Sequence, residues 1–273
     1  MIYPSCIHTH TEFCDGKSTM REICRRAEEL GFESLGFSPH SPLPYANDWA
    51  ATEESFEAFL AQEQKLKKEY EGRLELYAGI ELDSETAVCP EGLDYVIGAV
   101  HTLVKSGERF AVDYEKDLLR DVTDRLYGGD FLSLAEEYFE KTAEAALRPQ
   151  VDVIAHFDLV VKYNGKGEFI NESDPRYLEA ACAAAKRILK ERDDLFFEVN
   201  TGGMARAGRP FPYPAPPILR YLHEHGARFI VTCDCHRAHL LGAGYDEALR
   251  LLSALCGARV YVFRRGGFQR FSL

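Results

Sequence analysis

The sequence predicts an α/β fold, a (β/α) barrel of seven or eight parallel strands with its working groups at the C-terminal rim. Three observations point there. Short apolar runs alternate with amphipathic stretches along nearly all 273 residues. The runs are continuously apolar, as strands buried on both faces are, and such alternation implies parallel crossovers. Six of the runs end in a histidine or a carboxylate, and a parallel barrel gathers all such ends on one face. An open doubly wound sheet is the alternative fold for the same pattern.

In chain order, the first run, Tyr3–Ile7, ends in His8-Thr9-His10. A helix is expected to open at Ser18-Thr19-Met20-Arg21-Glu22 with Ser18 as its cap, and to close at Gly31. The second run, Ser34–Phe37, ends in Ser38-Pro39-His40, and a helix follows over about 52–71. Leu74–Ile80 leads to Glu81, and Tyr95–Val100 leads to His101. Residues 104–130 hold Gly107, Gly128, Gly129 and many charges, and are expected to form an insertion or lid. A helix over about 130–147 precedes Val151–Ala155, which leads to His156, and another covers about 175–191. Leu195–Val199 comes next, then a rigid Pro-rich loop from Arg209 to Pro217 and a helix over about 215–225. The run from Phe229 to Thr232 leads through Cys233 to Asp234-Cys235-His236. A helix over about 245–255 and a run near Val260–Phe263 complete the chain. No Gly/Ser linker, repeat or low-complexity tract divides it, so one domain over residues 1–273 is expected.

Composition narrows the class. Hydrophobic residues make up 46% and charged residues 28%, as in soluble globular proteins. No apolar run approaches the ~20 residues that a membrane helix needs. The first residues lack a basic stretch followed by an apolar one, so a cytoplasmic location is expected. The eight cysteines form no C-x-x-C pair, which argues against a zinc finger or a thioredoxin-like site and leaves them as buried thiols. A net charge of -12 disfavours a large basic face for nucleic acid. An acidic enzyme acting on a phosphate must therefore supply positive charge locally.

The run ends carry the chemistry. Side chains alternate along a strand, so His8 and His10 point one way, as do Asp234 and His236, while Cys233 and Cys235 face away as packing residues. One histidine after an apolar run is ordinarily a hydrogen-bonded core residue. Six such endings at one rim, two of them paired, are not explained that way. Packed together without a cation, these groups would leave buried polar atoms unsatisfied at roughly 1–3 kcal/mol each. Divalent ions remove that cost, and the mixed nitrogen and oxygen set suits Zn, Mn or Fe. With Asp15 from the loop after the first strand, the candidate ligands are His8, His10, Asp15, His40, Glu81, His101, His156, Asp234 and His236, enough for two or three ions. Asp15-Gly16 also reads as an ordinary turn pair.

At these residues the chain resembles the polymerase and histidinol phosphatase (PHP) family. The opening His8-Thr9-His10-Thr11-Glu12-Phe13-Cys14-Asp15-Gly16 is similar to that family's first motif, and His40, Glu81, His101, His156 and Asp234-Cys235-His236 match later motifs in order. The resemblance covers about residues 6–240 and implies a distorted (β/α)7 TIM-like barrel with a trinuclear site. It implies one ion on His8, His10, Glu81 and Asp234, a second on Glu81, His101 and His156, and a third on Asp15, His40 and His236. Within the family, His156-Phe157-Asp158-Leu159-Val160, Glu198-Val199-Asn200-Thr201-Gly202-Gly203, Pro212-Tyr213-Pro214 and Asp234-Cys235-His236-Arg237 resemble the stand-alone histidinol-phosphate phosphatases. That resemblance implies that Lys162 and Arg206 bind the substrate phosphate. Lysine at 162 departs from the usual arginine and cannot make a bidentate contact. Cysteine at 233 and 235 is a second departure.

The expected reaction is hydrolysis of a small phosphate monoester, with Glu81, Asp234 and His236 as catalytic groups and the metals supplying an activated water. Asp234 or His236 would assist the leaving alkoxide. Arg209, Arg237 and His239 are further candidates for substrate contact, the last two fitting a surface role equally. Histidinol phosphate is the first substrate reading. A PHP-type hydrolase of nucleotides, nucleic-acid ends or another small phosphate is the second, and a non-catalytic metal-binding module is the third. The expected partner is a small phosphate, with no membrane and no long nucleic acid; a homo-oligomer is left open.

Overall fold

The protein is described here from a computed structural model covering residues 3–165, 167–255 and 257–273; Cys256 lies outside the described residues. The elements run β1 (Ser5–Cys6), α1 (Met20–Glu29), β2 (Ser34–Phe37), α2 (Glu53–Glu69), β3 (Glu75–Asp83), β4 (Tyr95–Ala99), β5 (Thr102–Lys105) and β6 (Glu108–Ala111). They continue with α3 (Lys116–Tyr127), α4 (Phe131–Ala146), β7 (Val153–Ile154), α5 (Pro175–Glu191), β8 (Phe196–Asn200), α6 (Gly202–Ala207) and α7 (Pro216–Glu224). The last are β9 (Arg228–Thr232), α8 (Tyr245–Ala254), β10 (Arg259–Arg264) and β11 (Gly267–Phe271).

The main sheet has the order β1-β2-β3-β4-β7-β8-β9-β10-β11, parallel from β1 to β10 and antiparallel only at β11. It curls until its ends meet. At the upper rim Thr9 bridges Cys235 directly, His10 N donating to Cys235 O at 2.8 Å and Cys235 N to His8 O at 3.1 Å. At the lower end β10 pairs with β9 and lies against β1 and β2, where the Ser5 and Ser34 hydroxyls donate to Phe263 O at 3.3 and 2.6 Å. Seven parallel strands thus close at the top while an eighth wedges the bottom open. That wedge is the distortion of this (β/α)7 barrel.

Tyr95 shows how the interior is fitted. Its ring lies across Gly36 and Gly79, where an added Cβ would come within 2.3 and 2.2 Å of Tyr95 atoms, and its hydroxyl donates to Ile7 O at 2.5 Å. Two glycines on adjacent strands therefore make room for the residue that pins the start of the first ligand loop.

The expected helices are present, with one change at α1. Its cap is Thr19 rather than Ser18: the Thr19 hydroxyl accepts from Glu22 N while the Glu22 carboxylate accepts from Thr19 N at 2.7 Å, a reciprocal capping box. Residues 104–130 are ordered, taking part in the β5–β6 hairpin and then forming α3. The closing β10–β11 hairpin places an antiparallel strand at the sheet edge that the apolar pattern did not announce. Among the described residues, no helix is long and apolar enough to cross a membrane.

Candidate metal centre

Each strand end contributes differently to one cluster. His8 and His10 follow β1 on the segment that closes the barrel against Cys235, and both are fully buried. His40 follows β2 and bridges Glu81 on the neighbouring strand. Glu81 lies inside β3, which continues to Asp83, so the ligand row there sits one turn of the pleat below the strand's end. His101 and His156 come just after β4 and β7, and Asp234 and His236 after β9. Asp234 adopts φ 47°, the left-handed region that aspartate tolerates better than most residues. Gly16 permits the remaining loop: a Cβ there would lie 2.3–2.5 Å from the backbone of His10 and Thr11. That close approach sets Asp15 beside the histidines, which a turn pair alone does not require.

The side chains converge on Glu81. His8 Nε2 is 3.3 Å and His10 Nε2 3.4 Å from Glu81 Oε2, and His40 Nδ1 is 2.8 Å from the same oxygen without the alignment of a hydrogen bond. On the other oxygen, Oε1, His156 Nε2 lies at 2.8 Å and His101 Nε2 at 3.4 Å. Asp234 Oδ1 is 3.3 Å from His10 Nε2 and 3.8 Å from His8 Nε2. Asp15 reaches His236 Nε2 at 3.0 Å and lies 3.6 Å from both His10 and His40. Three subsets can hold an ion: His8, His10 and Glu81; His40, Glu81 and His101; and His10, Asp15, His40 and His236. His10, His40 and Glu81 are each shared by two of these subsets, while His156 Nε2 lies 2.8 Å from Glu81 and Asp234 Oδ1 3.3 Å from His10.

Whether these residues fit cations is answered by their unused atoms. His8 Nε2, His10 Nε2, Asp15 Oδ1, His40 Nδ1, Glu81 Oε2 and Asp234 Oδ1 are all buried and have no hydrogen-bond partner. Leaving six such atoms unsatisfied in one place would be a heavy cost, at about 1–3 kcal/mol each. Lone pairs on nitrogen and oxygen facing one another are what a divalent cation satisfies. The donor set fits the ions.

Electrostatics favours the binding-ready charge states of several members. Burial would raise the carboxyl of Glu81, but the imidazoles of His40, His8 and His101 outweigh it and hold the group well below its usual range. Asp15 is likewise held down, against its burial, by His40 and His236. Burial together with the neighbouring His236 and His40 pushes His10 down to about 3, so its ring is neutral.

Two carboxylates stand behind the histidines. Glu198 accepts from His8 Nδ1 at 2.5 Å, and Asp83 from His101 Nδ1 at 3.1 Å and His101 N at 3.3 Å. Both are fully enclosed. The sequence carried their signal: a charged residue within a central apolar strand must be paired, and Glu198 sits inside such a run.

The cluster floors a cleft of about 300 Å³. Its walls include Arg206 and Lys162, and also Asp48, Trp49, Asp113 and Tyr114, which the sequence reading did not single out. Arg206 donates to Asp234 Oδ2 at 2.5 Å and reaches the His236 ring at 3.0 Å. Lys162 Nζ donates to Asp113 O at 2.7 Å and Asp113 Oδ2 at 3.0 Å, leaving one of its three donors. Arg209 does not reach the cleft. It is buried, donating to both Glu172 oxygens and to Val161 O at 2.6 Å, so its role is structural. Arg237 and His239 are exposed and line no part of the cleft, which places them on the surface. Cys233 and Cys235 face away as expected, Cys233 Sγ lying 3.6 Å from Cys6 Sγ.

Comparison with known proteins gives a consistent result. The PHP domain family model matches residues 7–202. A probable histidinol-phosphatase of Deinococcus radiodurans is 29% identical over 96% of this chain and 97% of its own. The histidinol-phosphatase of Bacillus subtilis is 24% identical over 89% and 97%. Among solved structures, a Listeria monocytogenes protein assigned as a histidinol phosphatase superposes with a TM-score of 0.77 at 21% identity, covering 89% of this chain and 99% of that one. A histidinol phosphate phosphatase of Lactococcus lactis, complexed with zinc, L-histidinol and phosphate, gives 0.65 at 15% identity over 97% and 98%.

Proposed function

Because the chain belongs to the PHP domain family, we propose that it is a metal-dependent phosphatase that hydrolyses histidinol phosphate to histidinol and inorganic phosphate. The single observation that carries the metal reading is the set of six buried, unpartnered ligand atoms around Glu81. The names of its full-length relatives, and the zinc, histidinol and phosphate bound by the Lactococcus lactis enzyme, support the substrate. The nine residues His8, His10, Asp15, His40, Glu81, His101, His156, Asp234 and His236 would hold two or three divalent ions, Zn, Mn or Fe. Such ions lower the pKa of a water toward neutrality and offset the charge on a phosphoryl group.

The chain's own residues then divide the cleft. Arg206 and the free donor of Lys162 bind the phosphate oxygens, providing the local positive charge that an acidic protein lacks elsewhere. Water oxygen bonds to phosphorus and the bond from phosphorus to the ester oxygen breaks; the proton that the water gives up is relayed through Asp234 or His236 to the departing alkoxide, so no net proton is consumed. Asp48 and Asp113, with the rings of Trp49 and Tyr114, face the alcohol half. Carboxylates and aromatic faces suit a leaving group that bears an ammonium and an imidazole, and they disfavour an anionic one. The whole chain acts as one catalytic domain, and residues 104–130 supply Ala111, Asp113 and Tyr114 as its lid-side wall. The free cysteines accord with action in a reducing cytoplasm.

A substrate screen tests this reading. Protein stripped of metal and reloaded with manganese or zinc should turn over histidinol phosphate with a kcat/KM at least about 100-fold above that for nucleoside monophosphates or an aryl phosphate. Equal values on all three would contradict the assignment and favour a broad phosphatase on the same cluster.

A further inference from the structure

The metal reading makes a demand on His8 that the ligand cluster does not itself meet. A neutral imidazole carries one proton on two nitrogens, so His8 offers Nε2 to a cation only while its proton stays on Nδ1. We propose that Glu198 is the positioning residue that enforces this arrangement, by presenting a carboxylate that can only accept to four donors at once. The inference rests on the function proposed above and concerns how its first ligand is held.

The four contacts fix one another. Glu198 Oε1 accepts from His8 Nδ1 at 2.5 Å and Thr232 Oγ1 at 2.7 Å. Oε2 accepts from the backbone N of His156 and from Asn200 Nδ2, each at 2.8 Å. The His156 amide can only donate. Asn200 is locked as a donor too, because its Oδ1 accepts from Gly202 N at 2.8 Å. One carboxylate therefore ties the backbone of one candidate ligand, His156, to the ring of another, His8. All of this is fully buried, so water cannot replace a lost partner.

A glutamine at this position has one orientation that satisfies its neighbours. Its oxygen must face His156 N and Asn200 Nδ2, both fixed donors. Its NH2 then faces Thr232 Oγ1, which can accept, and His8 Nδ1, which accepts only by giving up its proton. That proton moves to Nε2, the nitrogen 3.3 Å from Glu81 Oε2 and 3.8 Å from Asp234 Oδ1. The substitution leaves each of these atoms a partner, at the loss only of the Thr232 hydroxyl's donation, and turns the wrong face of His8 to the cluster.

The test compares metal-free wild type and Glu198→Gln by thermal melting and by zinc titration against a competing chelator. It adds nitrogen and proton NMR of the histidine rings in zinc-loaded protein, with His8→Gln to assign the signal. We expect similar melting of the two metal-free proteins, zinc binding weakened about 10–100-fold in Glu198→Gln, and a hydrogen-bonded His8 Nδ1–H resonance in wild type only. Glu198→Asp, which keeps an acceptor-only group, should recover part of the affinity. A folded Glu198→Gln that binds zinc as wild type does would overturn this inference alone. Uptake of zinc by neither protein would overturn it together with the metal reading. If Glu198→Gln fails to fold, the wild-type spectrum decides, and a zinc-loaded protein without the His8 Nδ1–H signal refutes the proposal.

Discussion

Arg206 donates to one carboxylate of the cluster and touches a neighbouring imidazole, so its charge is held at the floor of the cleft before any phosphate arrives. Replacing it by alanine should raise KM for histidinol phosphate about 10-fold or more, with a smaller change in kcat, because the lost contact is mainly one of binding. Steady-state kinetics at saturating metal checks this, and an unchanged KM removes Arg206 from the phosphate site. Asp83 serves His101 from behind. An asparagine there must accept from His101 N, His101 Nδ1 and Glu85 N with a single oxygen, so one side of the amide opposes a donor. Metal affinity of Asp83→Asn should therefore fall about 10-fold or more, measured by equilibrium dialysis and elemental analysis; full affinity would mean that His101 needs no support. At this scale the candidate ligands other than Asp15 were legible because they follow the ends of apolar runs. Asp48, Trp49, Asp113 and Tyr114 were not, since they come from loops whose path over the cleft no periodicity encodes.

Six of the helices were read from the sequence within a residue or two, as at α5, because their apolar spacing and caps are local properties, whereas α3, inside the expected insertion, and the short α6 were not. The two hairpins were missed despite a local signal. Ser106-Gly107 and Arg265-Gly266 each carry positive φ at both positions, 52° and 82° then 51° and 69°, the backbone of a two-residue type I′ turn. A non-glycine residue in the first position hid both. One element carries a pH test. Asp130 caps α4 through Leu132 N and Ser133 N and pairs with Arg176 on α5 at 2.7 Å. Arg176, then the Ser133 hydroxyl, hold its carboxyl down to about 2. The folded value lies below the unfolded one, about 3.9, so the stabilisation is complete above that value and disappears as pH falls toward 2. Asp130→Ala should cost about 1 kcal/mol at pH 6, mostly through the lost cap, since the exposed ion pair is screened by solvent. Chemical denaturation across pH 6 to 3 should show the gap between wild type and variant narrowing; a gap that stays constant or widens would contradict the pairing.

Across the whole molecule, the candidate ligands come from six strands and the loop after the first, which only the closed barrel brings together. The folded chain alone therefore presents the metal site, and binding must stabilise folding by mass action. Zinc at 100 times its dissociation constant should add about 2.7 kcal/mol, seen as a rise in melting temperature that a chelator reverses. The barrel, and the gathering of the candidate ligands at one rim, followed from run order. The bottom wedge by β10 did not, because a last apolar run looks the same whether it completes a ring or splays it. The most direct measurement is anomalous scattering from a crystal of the manganese- or zinc-loaded protein. The account requires two or three strong peaks among His8, His10, Asp15, His40, Glu81, His101, His156, Asp234 and His236, within bonding distance of their unpartnered atoms. A loaded crystal whose anomalous density lies elsewhere, with those side chains hydrogen-bonded only to water, would contradict it.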